Sequence, residues 1–486
     1  MQRKPVFESD PFTLGVASGE PSADGFVLWT RLAPKPLDGG GLGPEPIEVS
    51  YEIAEDESMR RIVQHGSVVA VADLAHSVHV EVEGLKANRQ YWYRFQAGDA
   101  VSPIGRTRTA PTPEEKPSSF RFAFASCQHY EHGYYTAYQH MLNDDLDLIV
   151  HLGDYIYEGA AVKDKVRAHI GPEATTLPLY RNRYALYRTD HHLAEAHRLH
   201  PWLVTWDDHE FDNNCAGDIS EEAHVKVEDY LVRRAAAYQA YYEHMPLRKK
   251  QLPTGPHMQL YRTVKFGSLA EFQVLDTRQY RSDQPNGDGN KPLTGDVHSP
   301  HATVLGKDQE QWLFDSLSRS TSTWNILAQQ IMMARVDRVP GENDAFSMDQ
   351  WAGYDVPRTR LLQSLSDRKV ANPVVLTGDI HSNWVNDLKV NFDDEKGPVV
   401  ATEFVGTSIS SGGDGVEKSK DTDGILAENP FVRFQNNERG YVRCTLNDRE
   451  WKSDYCVIPK ITIPGGERVV RAGFVVEAGK AGAQRA

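Results

Sequence analysis

The stretch Leu148-Ile149-Val150-His151-Leu152-Gly153-Asp154-Tyr155-Ile156-Tyr157-Glu158 decides how this chain is read. An apolar run long enough for a buried strand ends in Gly-Asp, and a tyrosine follows three residues after the aspartate. Sheets of α/β proteins place their chemistry at strand ends, so a carboxylate here stands where a metal or phosphate would bind. Taken alone, the pattern equally describes an N-cap aspartate beside a half-buried tyrosine. Its meaning depends on whether the rest of the chain supplies partners.

Upstream, Phe120-Arg121-Phe122-Ala123-Phe124-Ala125 reads as a strand running into Ser126-Cys127-Gln128, and a helix is predicted from Tyr134 to Leu142. Strand, helix and strand in so short a span make a βαβ unit. Downstream, further strands end at polar clusters: Trp206 leads into Asp207-Asp208-His209-Glu210, Leu275 into Asp276-Thr277-Arg278, Ala328 into Gln329-Gln330, and Thr377 into Gly378-Asp379-Ile380-His381. Helices are expected over Leu179–Tyr187, Asp229–Tyr242, Lys307–Leu317 and Arg358–Asp367. The pattern predicts a layered α/β (αββα) domain over residues 120–460 with one chemically loaded edge.

Residues 1–110 differ in character. Runs such as Gly25-Phe26-Val27-Leu28-Trp29-Thr30 and Tyr91-Trp92-Tyr93-Arg94-Phe95 alternate between turn signals, which predicts an all-β sandwich. The Glu83-Gly84-Leu85 turn before Tyr91 resembles the fibronectin III pattern. Residues 111–119 carry three prolines and no periodicity and read as a linker. Residues 461–486 are expected to be a tail with one strand and little other order.

With 486 residues, the chain has room for more than one core. A net charge of -15 argues against a nucleic-acid-binding surface. It leaves phosphate esters open, because bound cations reverse the local sign. No apolar run is long enough for a transmembrane segment, and Met1-Gln2-Arg3-Lys4-Pro5 begins no apolar signal core. The protein is therefore expected to be cytoplasmic or to have lost a targeting peptide. Cys444 and Cys456 flank a turn-like segment and could face each other across a hairpin, which would indicate an oxidising compartment. Cys215 reads as buried and structural.

The polar residues after the strands form a constellation: Cys127, Asp154 with Tyr157, Asp208 with His209 and Asn214, and Asp379 with His381. Metals need several deprotonated side chains converging from rigid elements, and a dinuclear site needs one bridging carboxylate, for which Asp154 is the natural choice. Each residue alone has an ordinary explanation as packing, loop or cap. Occurring together at successive strand ends, they do not.

Gly153-Asp154-Tyr155-Ile156-Tyr157 resembles the Gly-Asp-x-x-Tyr of purple acid phosphatases and other calcineurin-like metallophosphoesterases. Asp208-His209-Glu210 is similar to their Asn-His-Glu block, and Gly378-Asp379-Ile380-His381 to their Gly-His-x-His. Cys127 in place of Asp-x-His, Asp208 in place of Asn and Asp379 in place of the first His together resemble the PhoD-like alkaline phosphatase and phosphodiesterase family. Similarity extends through Asp276-Thr277-Arg278-Gln279-Tyr280, Leu305-Gly306-Lys307-Asp308 and Glu403-Phe404-Val405-Gly406-Thr407-Ser408.

The resemblance implies Fe3+ held by thiolate and phenolate, with Ca2+ as the second metal. A thiolate and a phenolate call for a strongly Lewis-acidic ion, and added carboxylates suit a hard cation. Cys127, Asp154, Tyr157 and His381 are assigned to iron, and Asp154, Asp208, Asn214 and Asp379 to calcium. The expected activity is hydrolysis of phosphate monoesters and diesters by metal-activated hydroxide for phosphate acquisition. His209 is expected to protonate the leaving group or hold the phosphate, and Arg183 or Arg188 to clamp a phosphate oxygen. A dedicated phosphodiesterase of phospholipase D type, acting on phospholipid headgroups, is the alternative. The resemblance also implies export by the twin-arginine machinery to a periplasmic or secreted location.

Overall fold

The computed structural model describes residues 6–486. In the Phe120–Ala125 strand, Phe120, Phe122 and Phe124 enter one core while Ala123 and Ala125 enter another. That period-two alternation, repeated in Leu148–His151 and Pro201–Val204, gives both faces of the sheet an apolar layer to cover.

The sheet has ten strands. Its centre is parallel: Phe120–Ala125, Leu148–His151, Pro201–Val204 and Val16–Ser22 pair in that order. A second sheet of seven strands is built the same way, with Ala270–Val274, Trp324–Ala328, Pro373–Thr377 and Val399–Val405 parallel at its middle. The two sheets pack face to face through Phe122, Phe124, Val150, Phe272, Ile326 and Leu376. The helices Leu177–Arg188, His191–Leu199 and Val227–His244 cover the outer face of the first sheet. Gly306–Arg319 and Asp355–Asp367 cover that of the second. The layers therefore run helix, sheet, sheet, helix. This is the expected αββα layering, and the loaded edge is made of strand ends from both sheets.

The N-terminal strands are joined to this body. Val16–Ser22 pairs with Pro201–Val204, and Gly25–Arg31 and Ser77–Val82 extend the same ten-stranded sheet. A separate five-stranded sheet containing Ile47–Ala54 and Gln90–Ala97 closes over them, burying Phe26, Leu28, Val49, Ile53, Tyr93 and Phe95. On its other face, Trp29 packs with Ala185 of the Leu177–Arg188 helix. The segment read as a linker is tied down as well: the Glu115 carbonyl accepts from the Ser268 N–H at 2.9 Å.

Two expectations are corrected. Cys444 lies opposite Ser453 and Cys456 opposite Tyr441, and all four cysteines are free. The sheet pleat sends Cys444 into the core between the sheets and Cys456 into the core beneath the helices, so they cannot bond across the hairpin. The stretch read as a tail completes the ten-stranded sheet. Val469–Glu477 and Gln484–Arg485 are its last strands, and Ala472, Phe474 and Val476 enter the core between the sheets. No helix among the described residues is long and apolar enough to cross a membrane.

Because the two C-terminal cysteines face opposite cores, unfolding should be insensitive to thiol redox state. Thermal melts with and without reductant should coincide, and thiol titration in denaturant should return all four cysteines. A reductant-dependent melting temperature would contradict the register.

Candidate metal centre

Strand ends from both sheets converge on one cavity. The first sheet supplies Cys127 after Phe120–Ala125, Asp154 after Leu148–His151, and Asp207, Asp208 and His209 after Pro201–Val204. The second supplies Asp379 and His381 after Pro373–Thr377. Backbone pairing continues past the strand ends: the Cys127 N–H donates to the Gly153 carbonyl at 3.1 Å and the Gln128 N–H to that of Asp154 at 3.0 Å.

The chain is strained where it turns. Cys127, Asp154, Asn214, Asp379 and His381 hold φ values of 57°, 55°, 48°, 63° and 54°, in the left-handed region that side chains rarely adopt. Such conformations persist only where the surroundings enforce them, and they gather at functional sites. Gly153 is required by both its φ of +110° and the close approach of its neighbour, since a Cβ there would lie 2.4 Å from the Asp207 nitrogen.

Ligand atoms of Cys127, Asp154 and His381 lie within 4.8 Å of one another. The same holds for Asp154, Asp208 and His209, and for Asp207, Asp208 and Asp379. Asp154 belongs to the first two sets and Asp208 to the last two, so shared carboxylates link them. Tyr157 joins the first set: its hydroxyl is 2.9 Å from Asp154 Oδ2 and 3.1 Å from His381 Nε2. The Tyr157 ring packs on His129 at 4.3 Å and on His209 at 4.1 Å, and the Ser411 hydroxyl donates to its oxygen at 2.6 Å.

The charge balance tests whether a cation fits. Burial pushes the Cys127 thiol and the Tyr157 phenol well above their ordinary ranges, and the Asp154 carboxylate beside them adds to both shifts. Burial also raises Asp154 itself, reinforced by Asp208, Glu210 and Asp379 against the opposing pull of His209. Asp207 Oδ2 is buried without a hydrogen-bond partner. A thiol, a phenol and several carboxylates packed so closely can ionise together only beside cations. The residues present therefore fit metal ions.

Arg278 supplies positive charge from within the fold. Wholly buried, it pairs with Asp207, with Asp379 at 2.8 Å and with Asp349 at 3.0 Å, and lies 3.5 Å from Asp208. Gln350 donates to the other Asp379 oxygen at 2.6 Å. Glu210 accepts from the backbone N–H groups of Asp154, Tyr155 and Asp207 at 3.0, 2.6 and 2.8 Å, bracing two ligand loops with one carboxylate. His209 Nδ1 meets Glu158 Oε2 at 2.8 Å. Burial alone would lower the His209 pKa, yet Glu158, Asp154 and Asp208 raise it well above the ordinary range.

The remaining predicted residues fall less closely. Asn214 lines the cavity, but its amide donates to Asp288 Oδ2 at 2.5 Å, while its backbone N–H donates to Asp208 Oδ2 at 2.7 Å. Arg183 and Arg188 do not reach the cavity, which corrects their expected role. Both are buried on the inner side of the Leu177–Arg188 helix. Arg183 donates to the carbonyls of Tyr157 and Gly159, and Arg188 lies over the Trp29 ring at 4.6 Å. Asp207, Glu210, Asp349 and Ser411 went unassigned in the sequence. Asp207 is adjacent to an assigned ligand and Glu210 sits in the same block; nothing local to Asp349 or Ser411 pointed to the site.

The profile of the PhoD-like phosphatase family matches residues 122–455, and that of the PhoD-like phosphatase N-terminal domain matches residues 1–111. The chain is 52% identical over 486 residues to alkaline phosphatase D of Bacillus subtilis (strain 168), covering 99% of this chain and 83% of that protein. A solved structure of PhoD superposes with a TM-score of 0.97 at 52% identity, covering 99% of this chain and 93% of that one.

Removing Arg278 should leave Asp207, Asp349 and Asp379 buried without their shared cation. Arg278→Met is expected to destabilise the metal-free protein by about 3–5 kcal/mol, the usual cost of breaking a buried ion pair from one side. Urea unfolding of the two proteins after chelation checks this, and equal midpoints would refute it.

Proposed function

The chain belongs to the PhoD-like phosphatase family and is a phosphoester hydrolase, and we propose that it works as an alkaline phosphatase cleaving both monoesters and diesters to acquire phosphate. The observation that carries this reading is the shared position of Asp154. It stands between a thiol, phenol and imidazole set on one side and a carboxylate set on the other.

Cys127, Asp154, Tyr157 and His381 would hold Fe3+, since a thiol and a phenol buried together stay deprotonated only beside a strongly Lewis-acidic ion. Asp154, Asp208 and Asp379 would hold Ca2+, with Asn214 a weaker partner because its amide is turned to Asp288. Bound there, such ions supply Lewis acidity toward phosphate oxygens and lower the pKa of water.

The protein's own residues supply the rest. Glu158 fixes the His209 ring through Nδ1, which leaves Nε2 for the substrate. With Nδ1 held by Glu158, His209 is oriented to give a proton from Nε2 to the departing alkoxide. Arg278 and Gln350 hold both oxygens of Asp379, and Glu210 holds the backbone on which Asp154 and Asp207 sit. The left-handed backbone at Cys127, Asp154 and His381 sets the direction in which these side chains leave the chain.

The two N-terminal layers, with their core of Phe26, Val49 and Tyr93, suit a fibronectin III-like sandwich over residues 1–110 abutting a catalytic unit over 120–460. A periplasmic or secreted location suits phosphate scavenging, and twin-arginine export suits a protein whose metal centre is completed by folding.

Metal analysis with a visible spectrum tests the assignment. The isolated protein should contain iron and calcium and show a phenolate-to-iron absorption band that Tyr157→Phe abolishes. Active protein free of iron, or a band unchanged in the variant, would overturn it. Comparable turnover of monoester and diester is expected, and turnover of diesters alone would mark a dedicated phosphodiesterase.

A further inference from the structure

The cavity wall carries one guanidinium that the fold leaves without an anionic partner. Arg338 lines the same cavity as Asp154, Asp208, His209 and Asp379. Other arginines nearby are engaged: Arg278 pairs with four aspartates, Arg281 with Asp349, Arg335 with Asp393, and Arg439 donates to the carbonyls of His381 and Gly413. The Arg338 side chain is only partly buried, and among the described residues it makes no hydrogen bond and no ion pair. Its guanidinium lies 5.7 Å from the centre of the Trp384 ring, a flat apolar support.

The loop beneath it is held firmly. The Arg338 N–H donates to the Ala345 carbonyl at 2.9 Å. Asp337 Oδ1 accepts from the N–H groups of Val339 and Ala345 at 3.1 and 2.9 Å, and Asn429 bonds both backbone groups of Asp337 at 2.9 and 3.0 Å. A cation placed on an anchored loop, withdrawn in part from water and given no partner, is costly unless an anion arrives.

We infer that Arg338 binds the phosphate group of the substrate and biases the enzyme toward monoesters. The inference rests on the phosphoester reading above. A monoester at alkaline pH carries two negative charges on its phosphate, a diester one. A fixed guanidinium therefore attracts the monoester about twice as strongly at equal distance, and its fork can engage two of a monoester's three terminal oxygens while the third stays free for a metal ion, whereas a diester has only two in all.

The test compares wild type, Arg338→Ala and Arg338→Lys on p-nitrophenyl phosphate and bis(p-nitrophenyl) phosphate. Competitive inhibition by inorganic phosphate, metal content and melting temperature are measured for each protein. Arg338→Ala should lower kcat/KM for the monoester by roughly 100-fold, the scale of losing one partner of a charge pair, and for the diester by about 10-fold or less. Phosphate inhibition should weaken in parallel, with metal content and melting temperature unchanged. Lys should recover part of the monoester activity. Equal losses on both esters, unchanged phosphate inhibition, or loss of metal would overturn the inference. Wild-type protein inert toward both esters would instead refute the phosphoester reading and take the inference with it.

Discussion

Burial of negative charge around Asp154 is the constraint on which the rest of the structure depends. Asp154, Asp207 and Asp208 are buried together, with the half-buried Asp379, the Cys127 thiol and the Tyr157 phenol beside them. An ionised carboxylate in such a place costs several kcal/mol unless it is paired. Arg278 balances part of that charge and Arg281 helps with Asp349. Around Cys127 and Tyr157, by contrast, no carboxylate is paired with an arginine among the described residues, and Tyr157 meets the His381, His209 and His129 imidazoles instead. Metal ions would complete the fold there as much as they would serve the chemistry.

The scaffold makes that concentration of charge possible. Two parallel sheet centres present their ends to the same cavity because the apolar layer between them, from Phe122 and Phe124 to Ile326 and Leu376, fixes their spacing. Where the ends meet there is no room for a side chain. A Cβ on Gly378 would lie 2.7 Å from Ser126 Oγ, and one on Gly153 would press into the Asp207 loop. The loops then have to turn sharply, which accounts for the left-handed φ at the residues carrying ligand atoms. Packing energy gained between the sheets sustains strain at their ends.

This explains what could be read in advance. Each ligand follows its strand by only a few residues, so an apolar run followed by Asp, Cys or His marks the ligand without knowledge of the partner. That rule picked out Cys127, Asp154, Asp208, Asp379 and His381 as candidates, and the Gly-Asp-x-x-Tyr spacing added Tyr157; the fold gathers all six side chains into linked clusters. It could not assign each strand to one of the two sheet layers, because period-two alternation looks the same in either. It failed also at Cys444 and Cys456, where the separation suits a hairpin but the register puts them on opposite faces. Ser411 and Asp349 contribute through loops remote in sequence from the residues they support, so their roles exist only in three dimensions.

The arginines sharpen the same point. In the sequence, Arg183 and Arg188 are candidates because a guanidinium fork matches the geometry of a phosphate. The helix that carries them turns its arginine-bearing side inward, where carbonyls and an aromatic ring engage the guanidinium groups. Arg278 is at the site but its donors face carboxylates in every direction. What separates a structural arginine from one free to meet a ligand is therefore the set of partners already on its donors, since a guanidinium forks toward whatever anion is nearest. By that criterion Arg338 differs from its neighbours: its loop is anchored through backbone bonds that leave the side chain unengaged. A site so crowded with carboxylates would draw any mobile cation into a pair. Arg338, its guanidinium 5.7 Å from the centre of the Trp384 ring, makes no such pair among the described residues, and its charge lines the cavity through which an anion must enter.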